Sequence, residues 1–122
     1  MIHYKELSDK IIGIAIDVHK TLGNGYLEKI YENAMMLDFY KSRIRADQQV
    51  PLPVHYKNKN IGDYFADIVV DKKIILELKT VSKILPIHEA QLLHYLKSSR
   101  IKVGYLLNFD AKSKLEFKRM VY

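Results

Sequence analysis

Residues 74–79 read Ile-Ile-Leu-Glu-Leu-Lys. So many large aliphatic side chains in one short run predict an interior strand, covered on both faces. Glu77 and Lys79 nevertheless sit on it, and a charge inside a sheet is costly unless it has a partner or a task. Side chains alternate along a strand, so Glu77 and Lys79 share one face while Leu76 and Leu78 point to the other. Upstream, Tyr64 to Val70 alternates and is rich in β-formers, and Asp71-Lys72-Lys73 is a turn, so 64–79 reads as a hairpin. That hairpin brings Asp67 close to Glu77 in register, with Ala66 and Ile68 pointing away from Asp67. Two carboxylates at one spot attract a hard divalent cation that binds through oxygen and keeps several waters. The Leu78 backbone carbonyl offers a further oxygen. A nearby lysine is able to orient or deprotonate a water, or to stabilise charge growing on a phosphate. The plainer reading is a solvated face with cross-strand ion pairs. The apolar character of 74–79 weighs against it.

The rest of the chain supplies the frame. Leu7, Ile11, Ile14, Ala15, Val18 and Leu22 recur at helical spacing and predict a helix over 4–22, ended by Gly23-Asn24-Gly25. A second helix over 26–41 carries Leu27, Ile30, Tyr31, Ala34, Met35 and Leu37. Gln49 to Tyr56 is extended, and Pro51 and Pro53 confine it to a sheet edge. Lys57 to Asn60 is a turn. Helix 87–98 places Ala90, Leu93 and either Ile87 or Leu96 on its apolar side, and strands follow over 102–107 and 115–121. The predicted order is α-α-β-β-β-α-β-β, in a single domain over 1–122. Gly13 and Gly104 are expected to permit close packing, since neither sits in a glycine-rich phosphate loop.

Composition removes several function classes. The chain has no cysteine, so disulfides, thiolate metal sites and cysteine catalysis are excluded. No apolar run approaches the roughly 20 residues of a membrane span. The opening MIHYKELSDK does not resemble a signal peptide, so the expected location is the cytoplasm. The net charge is +6, and the excess lies toward the C-terminus in Lys112, Lys114, Lys118 and Arg119. That balance suits a polyanion, although a merely soluble basic surface has the same charge.

Asp67 together with Glu77-Leu78-Lys79 resembles the core motif of the PD-(D/E)xK nuclease superfamily, and the element order fits its α-β-β-β-α-β core. Alanine precedes Asp67 where the superfamily's name has proline. Gly25-Tyr-Leu-Glu28-Lys-Ile-Tyr31 is similar to the motif of the GxxExxY family within that superfamily. The segments 11–23, 50–56, 74–81, 91–96 and 103–109 resemble that family as well, so the likeness covers about residues 6–120. It implies a restriction-endonuclease-like α/β fold with a mixed sheet, an extra N-terminal helix and a C-terminal strand. It also implies a Mg²⁺ or Mn²⁺ site held by Asp67 and Glu77, with Lys79 as the conserved lysine. Glu28 matches the acid of the first core helix; by itself it would read as a first-turn acid complementing the helix dipole. Gln91 and Tyr95 resemble the QxxxY motif of RecB-like members, and at i and i+4 they share a helix face. His19 is open to two roles, contact with phosphate or a buried structural one.

The expected function is therefore a metal-dependent nuclease acting on nucleic acid, DNA first. Glu28, Asp67, Glu77 and Lys79 carry the chemistry. Gln91, Tyr95 and His19 contact substrate. So short a chain leaves room for a homodimer or a partner protein to complete activity. The alternative is a non-catalytic nucleic-acid- or protein-binding module that retains the fold. A structural scaffold, the third class, predicts no metal binding.

Overall fold

A computed structural model describes residues 4–122. Met1–His3, part of the signal-peptide argument, lie outside the described residues. The elements are α1 (Lys5–Leu22), α2 (Glu28–Lys41), β1 (Ala46–Tyr56), β2 (Lys59–Val70), β3 (Ile74–Lys79), α3 (Pro86–Ser99), β4 (Val103–Asn108) and β5 (Glu116–Val121). The strands form one five-stranded sheet in the order β1-β2-β3-β4-β5. β3 and β4 run parallel and the other pairs antiparallel, so the sheet is mixed. α3 supplies the crossover that a parallel pair requires. β1 lies at an edge, as its two prolines predict.

Two apolar clusters sandwich the sheet. On one side Ile11, Ala15 and Val18 of α1 and Tyr31, Met35 and Phe39 of α2 pack on Ile74, Leu76, Leu78 and Leu107. On the other, Leu92 and Leu96 of α3 pack on Ile75, Val69 and Leu106. Each fully buried Ile, Leu, Met or Phe among them contributes about 2 kcal/mol of transfer free energy. β3 is buried along nearly its whole length, as its sequence demands.

Several local expectations change. α2 begins two residues late because the Tyr31 hydroxyl closes the preceding turn. It donates to Gly23 O at 2.6 Å and accepts the Tyr26 N–H at 3.1 Å. The α2 core face is Tyr31, Met35 and Phe39; Ile30 and Leu37 are exposed, and Leu27 lies outside the helix. On α3, Leu92 and Leu96 are buried, whereas Ala90 and Ile87 are exposed. Proline at its first position and a bond from Leu85 N–H to His88 Nδ1 (3.0 Å) set the start of α3. β1 and β2 pair down to Tyr56 and Lys59, so the turn is only Lys57-Asn58, both with φ above +40°. Two left-handed residues in sequence make the tight hairpin turn that matches strand twist. β1 also starts earlier than its polar Ala46–Gln48 suggests, because Ala46 pairs with Val70 and the ladder overrides weak propensity.

The two glycines part company. A Cβ on Gly104 would lie 3.0 Å from Leu92 Cδ1, so that glycine does permit helix–sheet contact. Gly13 faces open space, and close packing does not account for it. Gly13→Ala is therefore expected to stabilise the protein by about 0.5–1 kcal/mol through helix propensity. Gly104→Val should destabilise it by about 1–3 kcal/mol through overpacking. Urea unfolding of both variants measures the two opposite signs.

Candidate active site

β2 and β3 pair regularly through Ile68↔Leu76, Val69↔Ile75 and Val70↔Ile74, and the next opposed residues are Asp67 and Glu77. There the ladder changes character. The Asp67 N–H donates to Glu77 Oε2 at 3.0 Å, and the Leu78 N–H donates to Asp67 Oδ2 at 2.8 Å. Each acid occupies a backbone donor that would otherwise serve a main-chain carbonyl. The side-chain alternation of β2 also breaks here. Ile68 and Val70 pack toward α1 and α2, but Ala66 packs toward α3, so Ala66 and Ile68 do not share a face as expected.

The electrostatics are those of uncompensated negative charge. Glu77 is 6% exposed. Burial first, then the charge of Asp67, pushes its carboxyl up to about 7, against opposing help from the Tyr64 hydroxyl, the Asp67 N–H and Lys79. Burial also raises Asp67; the Leu78 N–H opposes this, and the charges of Glu32 and Glu28 add to it. Lys79, half-buried at the end of β3, acts on Glu77 only as the weakest of these influences.

The other expected residues are placed unequally. Glu28 is exposed at the start of α2 and accepts a long bond from Thr80 Oγ1 at 3.4 Å, just beyond Lys79. Tyr95 stacks on Tyr64 with ring planes 11° apart, and after burial the charges of Glu77 and Asp67 raise its pKa. Gln91 is exposed one turn earlier on α3. His19 is buried, with Nε2 2.6 Å from Ala111 O and its ring tilted against Phe109, and it makes no bond to Asp67 or Glu77.

Three residues at the site escaped the sequence argument. Glu32, buried on α2, takes Lys29 Nζ at 2.8 Å, Gln48 Nε2, and Gln49 Nε2 at 2.9 Å. The Gln49 amide also lies near enough to the Asp67 carboxylate to favour its charged form. Tyr64 buries its hydroxyl beside Glu77. Glu32 lies four residues beyond Glu28 on the same helix face, and that spacing was a usable signal. Gln49 and Tyr64 carried none. Behind Lys79, Asn108 pins the following loop. Its Oδ1 accepts the N–H of Val81 (3.1 Å) and of Asp110 (3.2 Å), and its Nδ2 donates to Val81 O and to Glu116 Oε1, both at 2.9 Å. Glu116 Oε1 also accepts the Ile84 N–H at 3.0 Å.

The model of the PD-(D/E)XK nuclease superfamily matches residues 5–120, and the chain belongs to that superfamily. Its sheet, with helices on both faces, is the restriction-endonuclease-like fold. No curated protein matches this chain. Among solved structures it is similar to the crystal structure of SSO0001, at 22% identity and a TM-score of 0.57 over 76% of this chain. The match spans 48% of that protein's length and concerns the fold. No helix of the described residues is long and apolar enough to cross a membrane.

The raised Glu77 pKa has a signed consequence. Between the ordinary carboxylate range and about 7, the folded chain holds a proton that the unfolded chain has released. In EDTA, stability is therefore highest at the acid end of that window and falls as pH rises to 7, by up to about 3 kcal/mol from this group. Glu77→Gln should flatten that fall, as measured by denaturant unfolding at a series of pH values. An unchanged slope would remove Glu77 as its cause.

Proposed function

We propose that this protein is a divalent-metal-dependent nuclease acting on DNA, and that it falls within the GxxExxY family on the strength of Gly25, Glu28 and Tyr31. The observation that carries this reading is the Asp67–Glu77 pair. Two hard oxygen donors are held together by each other's strands; burial makes both carboxyls poor at carrying their charge, and repulsion from nearby acids adds to this, from Asp67 at Glu77 and from Glu32 and Glu28 at Asp67. A bound cation would relieve that repulsion, so the donor set fits Mg²⁺ or Mn²⁺. Among the described residues no three acidic, histidine or cysteine side chains form a preformed cage. An ion of the Mg²⁺ type binds through one or two carboxylates together with substrate phosphates, so the Asp67–Glu77 pair would be completed by substrate.

Asp67, Glu77 and the Leu78 carbonyl would hold the ion, with Glu28 extending the site from α2. Once bound, the ion supplies Lewis acidity at the phosphate and lowers the pKa of an attacking water. Lys79 Nζ orients that water or stabilises the charge developing on the phosphoryl oxygens. Tyr95, held flat against Tyr64, and the exposed Gln91 offer a face of α3 to the sugar-phosphate backbone. In this reading His19 anchors α1 to the loop after β4 rather than touching substrate.

Melting curves in EDTA, Mg²⁺ and Mn²⁺ test the site. Wild type should melt higher with metal, and Glu77→Ala should lose that rise while remaining folded. In cleavage assays across DNA and RNA, Glu77→Ala should be inactive, and Lys79→Ala should fall by about 100-fold or more. Retained cleavage in both variants would sink the assignment. Metal binding with no cleavage of any nucleic acid would favour the non-catalytic binding module.

A further inference from the structure

Gln49 has φ +50° in the middle of β1, the left-handed region where glycine is the usual residue. Its place in the ladder explains the backbone. The pairs Gln48↔Ile68 and Val50↔Ala66 flank it, so it lies across from Asp67. At this level both strands switch faces. Ala46 packs with the α1–α2 cluster, whereas Val50 and Leu52 pack with the α3 cluster, as Ala66 does on β2. A left-handed residue lets β1 turn over in step with β2. Other non-glycine residues of this chain, such as Lys57 and Asn58, also hold positive φ; what sets Gln49 apart is that it lies inside a strand and its side chain reaches Glu32.

We infer that Gln49 is a positioning residue that fixes the Asp67 carboxylate for ion binding, using Glu32 as its anchor. The inference rests on reading the Asp67–Glu77 pair as the ion site. Both neighbours of the Gln49 amide are carboxylates, which accept and do not donate, so its NH₂ group must face them. The amide donates to Glu32 Oε1 at 2.9 Å, and its place in the ladder sets Gln49 across from Asp67, whose charged form it favours. Glu32 does not depend on Asp67 for its own position, because Lys29 and Gln48 hold its second oxygen. The Leu78 N–H already takes Asp67 Oδ2. With the Glu32-anchored amide of Gln49 beside it on β1 and the Leu78 N–H holding it from β3, the carboxylate would present a restricted edge to a cation. Strain at a sparsely populated backbone conformation is typical of residues retained for function.

The test is Mn²⁺ affinity, read from the electron paramagnetic resonance of free Mn²⁺, on wild type, Glu77→Ala, Gln49→Gly, Gln49→Asn and Gln48→Ala. Melting in EDTA establishes that each variant folds. Gln49→Gly suits the left-handed backbone and removes the amide. Gln49→Asn also tolerates that conformation but carries its amide one carbon short. Both should bind Mn²⁺ about tenfold more weakly, about 1.4 kcal/mol in binding. Gln48→Ala, which removes one of the two donors on the second oxygen of Glu32 and leaves the Gln49 amide in place, should lose less affinity than either Gln49 variant. Wild-type affinity in both Gln49 variants overturns the inference, as does an equal loss in Gln48→Ala, since that loss would reflect only the packing around Glu32. Absence of Mn²⁺ binding by wild type itself overturns the reading of the site, and the positioning role with it. The Glu77→Ala trace separates these two failures.

Discussion

The capture of the Asp67 N–H by Glu77 and of the Leu78 N–H by Asp67 is the constraint around which this structure is arranged. A hairpin in regular register would pair its main-chain groups throughout. Here two N–H groups go to side-chain oxygens across the strand gap. The carboxylates cannot drift apart without leaving those donors unsatisfied, and an unsatisfied buried donor costs about 1–3 kcal/mol. The register of β2 on β3 and the placement of the two acids are thus one and the same fact.

Much of the surrounding architecture follows from accommodating that pair. β2 changes faces at Asp67, β1 changes faces beside it at Gln49, and the apolar side chains on either side of this level belong to different clusters. Glu32 brings a second buried acid near the half-buried Asp67, whose carboxyl its charge pushes up further, yet it is surrounded by three donors of its own. The fold thus holds a local excess of negative charge that its apolar layers must outweigh. Sites that bind cations commonly carry such a burden, because a region optimised for stability would have neutralised it.

How much of this was legible in the sequence depended on whether the signal was periodic. The interior character of Ile74–Leu78, the edge position imposed by Pro51 and Pro53, and the order of all eight elements followed from alternation, helical spacing and breakers. The Asp67–Glu77 apposition followed from turn position alone. What failed was any expectation that alternation continues unbroken: Ala66 was assigned to the wrong face because nothing in Tyr64–Val70 marks the switch. On α3 the expected Leu93 and Leu96 do face the sheet, but Leu92 takes the place expected of Ala90, because both are apolar and only the sheet beneath decides which is covered. Tyr31 read as a core aromatic, and so it is, but its hydroxyl also closes the turn before α2, a bond that no spacing rule anticipates. Glu28 drew attention through its motif, while Glu32, one turn later, became the buried acid.

The Asn108 network gives the last strand a reach beyond its position. β5 stands outside the α-β-β-β-α-β core as an addition to the sheet's margin, and it pairs with β4 alone. Yet Glu116, at its first residue, grips both Asn108 and the main chain of Ile84, and Asn108 in turn clasps Val81. The segment leaving Lys79 is therefore moored to the far side of the molecule. An appended strand acts as an outrigger here, holding steady the lysine end of β3 from two strands away.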